Sequence, residues 1–145
     1  MKVSKKSDYA LRALVSLANN REKLFSIRQI ASENNISKRF LEQIMLELKD
    51  NRIIEGIPGR LGGYRLLVSP SELTVGRIIR LFDGMLAPIN CVSMKEYEKC
   101  SQENQRKFRR LFLNIRNFAA NLLESYSIED LRKLEVVNYE EIDKI

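Results

Sequence analysis

The sequence predicts a mainly α-helical protein with one small β-hairpin wing, that is, a winged helix-turn-helix followed by a long C-terminal helix. Three observations lead to this fold class. Apolar residues recur at helical spacing over the first 50 residues, and a glycine-rich loop then joins two short β-like segments. A longer amphipathic segment follows near the C-terminus. With 145 residues, of which 44% are hydrophobic, the chain is long enough for one compact domain and an appendage.

The first part of the chain carries three predicted helices separated by short connectors. Residues 7–19 place apolar side chains at helical spacing. Ser26 begins a capping box that opens a short helix, and the asparagines at 34–35 suit a tight turn because asparagine tolerates the left-handed conformation. Ser37 caps a third helix over 38–50. Two helices joined by such a turn form a helix-turn-helix.

Two β-like segments, residues 53–57 and 64–68, follow the third helix. The loop between them, residues 58–63, contains one proline and three glycines and suits a hairpin turn. A phosphate-binding loop would lead from a strand into a helix, whereas this loop leads into a second strand. The hairpin is therefore predicted to be a wing, and Thr74 caps a further helix over 75–84.

The positive charge of the chain lies in its first 80 residues. These contain 15 Lys and Arg against 8 Asp and Glu, a balance of +7, whereas residues 81–145 contain 10 against 11, a balance of −1. This asymmetry favours a polyanion-binding half joined to a half with another role. In a helix-turn-helix, the second helix lies in the DNA major groove with its N-terminal residues near the base edges.

Polar residues on the short second helix, the third helix and the wing form the predicted DNA-binding set. Arg and Lys suit guanine and phosphate, Gln suits adenine, and Glu can accept from cytosine. Each residue taken alone could equally belong to an ordinary solvated surface. The set comprises Ser26, Arg28, Ser37, Lys38, Arg39, Glu42, Gln43, Arg60, Tyr64 and Arg65.

The second half of the chain contains a connector and a long amphipathic helix. The helix carries an apolar row at steps of 3 and 4 residues, which is typical of a helix that pairs with a partner: Phe108, Leu111, Ile115, Phe118 and Leu122. We predict that it pairs with its copy in a homodimer, although packing on its own domain is the alternative. The predicted division is 1–85 for the winged domain, 86–103 for the connector, 104–126 for the dimerisation helix, and 127–145 for a short helix and tail.

The composition excludes several classes of function. The chain has no histidine and two cysteines, so the usual histidine-based catalytic triads and cysteine–histidine zinc sites are excluded, and an enzyme is not expected. Two cysteines are too few for a disulfide-stapled secreted scaffold. No stretch is long and apolar enough to suggest a membrane span. We therefore expect a cytoplasmic protein without a membrane partner.

At this point the sequence resembles the IscR/NsrR/CymR family of bacterial winged-helix transcriptional regulators. The resemblance runs in order through residues 7–14, 36–44, 59–66 and 73–76. It implies a homodimer, a helix in the major groove, a wing at the minor groove and a sensor near the long helix. Many members have arginine where this chain has Pro58, and Arg60 could take its place.

The resemblance also implies a candidate iron–sulfur site, of the [2Fe–2S] rather than the [4Fe–4S] type. Cys91 and Cys100 match two of the family's three cysteines, and Asp8 of the other subunit matches a carboxylate ligand of some members. The third cysteine is missing, and carboxylate ligation is unusual because clusters prefer thiolates. Asp8 also suits the first turn of a helix for electrostatic reasons alone. Three interpretations stay open: a cluster with few thiolates, a thiol redox switch, and inert cysteines without a cofactor.

The sequence therefore predicts a homodimeric, sequence-specific DNA-binding transcriptional regulator, a repressor by resemblance, which responds to redox state or to an iron–sulfur cluster. Its partners would be double-stranded DNA and its own copy. The alternative is a winged-helix protein-interaction module that does not read DNA directly.

Overall fold

The computed structural model describes residues 1–94, 97–99 and 107–142. Within them, helices and a two-stranded antiparallel hairpin follow one another in the predicted order. The elements are α1 (Lys5–Ala18), α2 (Ile27–Asn34), α3 (Lys38–Asp50), β1 (Ile54–Ile57), β2 (Gly63–Leu66), α4 (Val75–Asp83), a 3-10 helix (Asn90–Val92), α5 (Arg109–Ser125), α6 (Ile128–Lys133) and α7 (Tyr139–Ile142).

Side-chain caps set the beginnings of the first helices. The Ser4 hydroxyl accepts a hydrogen bond from the Ser7 backbone at 3.2 Å, so α1 begins before the predicted position 7. The predicted capping box at Ser26 is present, and Asn35 ends α2 in the left-handed conformation with φ of 51°. Ser37 caps α3 as predicted.

The wing is a short hairpin that is tied to the beginning of α2. Ile54 pairs with Leu66 and Ile57 with Gly63 in antiparallel register. Phe25, just before α2, exchanges two backbone hydrogen bonds with Tyr64, of 3.0 and 2.8 Å. This bridge makes the wing and the helix-turn-helix one rigid unit.

The hydrophobic core lies between α1, α2, α3, the hairpin and α4, and α6 closes it from the far end of the chain. Ile128 of α6 is completely buried among these residues, and its backbone donates to the Leu73 carbonyl at 2.8 Å. Val75 in turn donates to the Tyr126 carbonyl at 2.8 Å. This return of the chain to the core differs from the predicted division, in which residues 127–145 form a short helix and tail.

The short helix α6 is held by charged caps. The Ser127 hydroxyl donates to Asp130 at 2.6 Å, and this bond keeps the pKa of that carboxyl below its usual value. Hydrogen bonding from Arg132 lowers the pKa of Glu129 to about 2. These contacts fix the turn that carries Ile128 into the core.

The Glu124 side chain of α5 lies over the first turn of α4. Its carboxylate accepts from the Thr74 hydroxyl at 2.8 Å and pairs with Arg80. A Cβ atom at Gly76 would lie 2.3 Å from the Glu124 Oε1 atom. Gly76 therefore leaves room for this position of the Glu124 carboxylate.

Two details of the second half differ from the prediction. The helix predicted over 104–126 is observed as Arg109–Ser125, with a turn at 107–108, and residues 100–106 lie outside the described part. Phe108 provides no side-chain cap, so the sequence carried no signal for this beginning. The predicted connector also contains a buried 3-10 turn, in which Cys91 and Val92 are each 5% exposed.

Candidate nucleic-acid interface

The outward face of α3 is polar along its first turns. Ser37 caps the helix by accepting from the Phe40 backbone at 3.3 Å. The opposite face anchors α3 in the core through completely buried side chains: Leu41, Ile44, Met45 and Leu48. This anchoring directs the predicted recognition residues to solvent, and all four are exposed: Lys38, Arg39, Glu42 and Gln43.

The charges on this face are partly compensated within the helix. Lys38 lies 3.5 Å from the Glu42 carboxylate, one turn further along. Arg39 makes no ion pair with any residue of the described part. Glu47 is held by Lys6 of α1, which ties α3 to the first helix. Arg39 is therefore available to an external anion in the first turn of α3.

The N-terminus of α2 and the wing enclose a cleft. Its volume is about 390 Å³, and its lining includes Ser26, Lys49, Gly59 and Tyr64. The first amide groups of a helix carry partial positive charge and attract anions. The Ser26 hydroxyl is used internally, because it accepts from the Gln29 backbone at 3.2 Å, whereas the Arg28 side chain is exposed.

The three wing residues of the predicted set have different surroundings. Tyr64 is half-buried, and its ring covers Gly56, where a Cβ atom would lie 3.1 Å from the Tyr64 Cε1 atom. Arg65 is exposed and pairs with Glu55 on the facing strand. Arg60 is exposed at the tip of the wing and forms no ion pair among the described residues. Within the described ranges Arg60 is thus a cation without an ion-pair partner, whereas Tyr64 supports the hairpin.

The candidate cluster ligands are not assembled into a site in the described part of one chain. Cys91 is buried, whereas the Asp8 side chain is 55% exposed and lies 3.9 Å from Arg12. No three His, Cys, Asp or Glu residues come together there as metal ligands. Cys100 lies outside the described residues. With no histidine and two thiols in the whole chain, the donor set of one protomer does not fit a thiolate-ligated iron–sulfur cluster.

Two arginines of α5 hold the segment that carries Cys91. Arg109 donates to the Cys91 carbonyl through two nitrogens, at 3.3 and 3.1 Å. Arg116 donates to the Val92 carbonyl at 2.7 Å. Neither arginine belongs to the predicted site, because a cation on an amphipathic helix has the same sequence pattern whether it is solvated or bound to a carbonyl.

The apolar row predicted on α5 is exposed. Every residue of the row is at least 36% accessible: Phe108, Leu111, Ile115, Phe118 and Leu122. Ala119, Ala120 and Leu123 lie on the side of α5 that faces α4. One side of α5 is therefore used within the chain, and a row of large apolar side chains remains on another.

A winged helix-turn-helix with a cationic recognition face defines a class of transcriptional regulators, and comparison with known proteins assigns the chain within that class. The chain belongs to the Rrf2 family, described as iron-dependent transcriptional regulators, whose pattern matches residues 3–133. This confirms the resemblance and the prediction of a regulator rather than an enzyme.

The relatives cover nearly the whole chain. The transcriptional regulator CymR of Bacillus subtilis is 33% identical over 132 residues, which span 90% of this chain and 89% of CymR. The regulator NsrR of Halalkalibacterium halodurans is 30% identical over 132 residues, or 90% of each chain.

Solved structures agree with the fold. The structure of CymR, the global cysteine regulator of B. subtilis, matches with a TM-score of 0.77 at 29% identity and covers 94% of this chain and 99% of that one. The structure of IscR from T. potens matches with a TM-score of 0.71 at 24% identity over 97% and 96% of the two chains, which supports the fold alone. The predicted fold class is confirmed. In the part of the chain that the structure describes, no helix has the length and apolarity to cross a membrane.

Proposed function

We propose that this regulator is a homodimer that binds specific DNA sites in the cytoplasm and represses transcription. The observation that carries the proposal is the exposed polar face of α3, with Arg39 unpaired among the described residues, on a module with a balance of +7. In this arrangement the first turns of α3 enter the major groove.

The residues of the predicted set take different roles in this proposal. The residues that face base edges are those at the beginning of α3: Ser37, Lys38, Arg39, Glu42 and Gln43. Arg28 and Ser26 at the N-terminus of α2 approach the phosphate backbone, where a helix N-terminus favours negative charge. On the wing, Arg60 reaches the minor groove, Arg65 contacts the backbone, and Tyr64 holds the hairpin in position.

Dimerisation uses the exposed apolar row of α5. The side chains of this row would be buried against the same row of a second copy, in a contact related by two-fold symmetry. Two recognition helices would then face half-sites on one side of the duplex, about one helical turn apart. The dimerisation helix and the winged domain thus remain the functional units that the sequence predicts.

Sensing uses the cysteines. We propose that a change in the chemical state of Cys91 and Cys100 moves the connector. Arg109 and Arg116 would then transmit this movement to α5. Arg109 binds the backbone carbonyl of the buried Cys91 itself, which supports this coupling. Anaerobic purification followed by a visible spectrum and iron and sulfide assays separates the two forms of sensing. Coloured, iron-containing protein supports a cluster completed across the dimer, whereas colourless, iron-free protein leaves a thiol switch or inert cysteines.

A gel-shift titration with genomic fragments, including the region upstream of its own gene, tests DNA binding. We expect saturable binding that weakens as salt increases, because phosphate contacts release counterions. The double variant Lys38→Ala/Arg39→Ala should lose binding and remain dimeric by sedimentation. Binding to no fragment by wild-type protein, with retained dimerisation, would overturn the proposal and favour a protein-interaction module.

A further inference from the structure

The tip of the wing presents a large apolar side chain to solvent. Leu61 is 91% exposed, and among the exposed large hydrophobic residues of the described ranges only Val136 is more accessible. A leucine at this position contributes almost nothing to the core of its own chain. Turns usually carry Gly, Pro, Asn, Asp or Ser here, because these residues suit the backbone and remain hydrated.

The backbone of the tip holds Leu61 in a fixed direction. The Gly62 amide donates to the Gly59 carbonyl at 3.1 Å, which closes a four-residue turn with Arg60 and Leu61 at its centre. Gly59 has a φ of 106°, and a Cβ atom at Gly62 would lie 1.9 Å from the Ile57 carbonyl oxygen. The glycines therefore permit a tight tip that only a residue without a side chain allows at position 62.

The neighbours of Leu61 indicate what its partner is. Arg60, the adjacent residue, is exposed and unpaired within the described part of the chain. The cleft between the wing and α2 is lined by Lys49 and by the beginning of α2, which both favour an anion. The two neighbours together, an exposed cation and an exposed apolar side chain, fit double-stranded DNA. Its phosphate backbone is anionic, and its stacked base pairs are apolar.

We propose that Leu61 is a specificity-determining residue that enters the minor groove as an apolar wedge and selects a flexible base step there. The proposal rests on the proposed DNA-binding function. Apolar side chains that enter the minor groove press between base pairs and bend the duplex. Pyrimidine–purine steps such as TA and CA deform most easily, so a wedge selects them without hydrogen bonds to the bases. In this arrangement Arg60 supplies affinity and Leu61 supplies sequence preference.

Selection from a library of random-sequence DNA duplexes tests the proposal. Wild-type protein and the Leu61→Ala, Leu61→Met and Val136→Ala variants are used in parallel. We expect wild-type protein to enrich two half-sites with a pyrimidine–purine step at a constant distance outside each. Leu61→Ala should retain the half-sites, lose the flanking step, and bind a wild-type-selected duplex about tenfold more weakly.

The other variants separate the wedge from simpler effects. Leu61→Met keeps a large apolar side chain at the tip and should retain the flanking step. Val136→Ala removes an equally exposed apolar residue elsewhere and should behave as wild type. The slope of log affinity against log salt should be unchanged in Leu61→Ala and reduced by about one in Arg60→Ala.

Three outcomes overturn the inference. Leu61→Ala could enrich the same flanking steps and bind as tightly as wild type, which removes the wedge. It could lose the half-sites together with the flanks, which indicates general damage to the wing. If wild-type protein enriches no sequence at all, the proposed function itself fails, and this result is distinguishable because the half-sites are then missing too.

Discussion

Phe118 on α5 gives the sharpest test of the dimer. Its side chain is 71% exposed in the single chain, so Phe118→Ala removes little from the folded protomer. Burying a phenylalanine fully contributes about 2 kcal/mol, and with 71% available each copy would contribute about 1.5 kcal/mol. Because two-fold symmetry places two copies in the interface, the dimer should lose about 3 kcal/mol, or roughly a hundredfold in its dissociation constant.

Sedimentation equilibrium over a wide range of protein concentration measures this change. The far-UV circular dichroism of Phe118→Ala should match that of wild type, and its melting temperature should become dependent on concentration where dimer and monomer coexist. Leu46→Ala is the matched control, since Leu46 is 59% exposed on α3 and lies outside the α5 row. A Phe118→Ala dimer as tight as wild type would refute the assignment of the apolar row as the interface.

Three further predictions concern the wing, the core and α6. Gly62→Ala should weaken DNA binding in gel shifts and leave sedimentation unchanged, because its Cβ atom would lie 1.9 Å from the Ile57 carbonyl oxygen and distort the wing; unchanged binding would contradict this role. Ile128→Ala should lower the free energy of unfolding by about 2–5 kcal/mol in urea titrations, because the side chain is completely buried; an effect below about 1 kcal/mol would show that α6 is dispensable. The Arg132 hydrogen bond lowers the pKa of Glu129 from its ordinary value of 4.5 to about 2, so the stabilisation from this bond is complete above pH 4.5 and disappears as pH falls to about 2. In thermal melts, Glu129→Gln should therefore be less stable than wild type at pH 7, and its melting temperature should fall less steeply than that of wild type as the pH is lowered through this range. If the melting temperatures of both proteins fall in parallel with pH, this linkage is excluded.

The elements of the winged domain could be predicted because each carried a local signal. Ser26 and Ser37 mark helix beginnings, and the buried stripe of α3 follows directly from apolar spacing. The outward direction of Lys38 and Arg39 follows from the same pattern, since whatever lies opposite a buried stripe is exposed. Local chemistry was therefore enough to place the candidate recognition face.

The rest depended on contacts between residues distant in sequence. Ile128 follows a helix cap and has no feature that distinguishes a core residue from a tail residue, yet it is completely buried in the core of the winged domain. Gly76 and Glu124 are 48 residues apart, and only the folded chain shows that one makes room for the other. Periodicity indicates which face of a helix is apolar, but not which element covers it.

The closure of the core by Ile128 has a consequence for how the protein can be divided and how it can move. A fragment that ended after α4 would leave an apolar gap in the core where Ile128 packs, so the winged domain is incomplete without α6. Helix α5 is also held at two places, by Arg109 and Arg116 at the segment around Cys91 and by Glu124 at the beginning of α4. It therefore connects the cysteine-bearing segment to the winged domain through direct side-chain contacts. If the proposed dimer pairs through α5, we expect a displacement of the connector to change the separation of the two proposed DNA-binding surfaces.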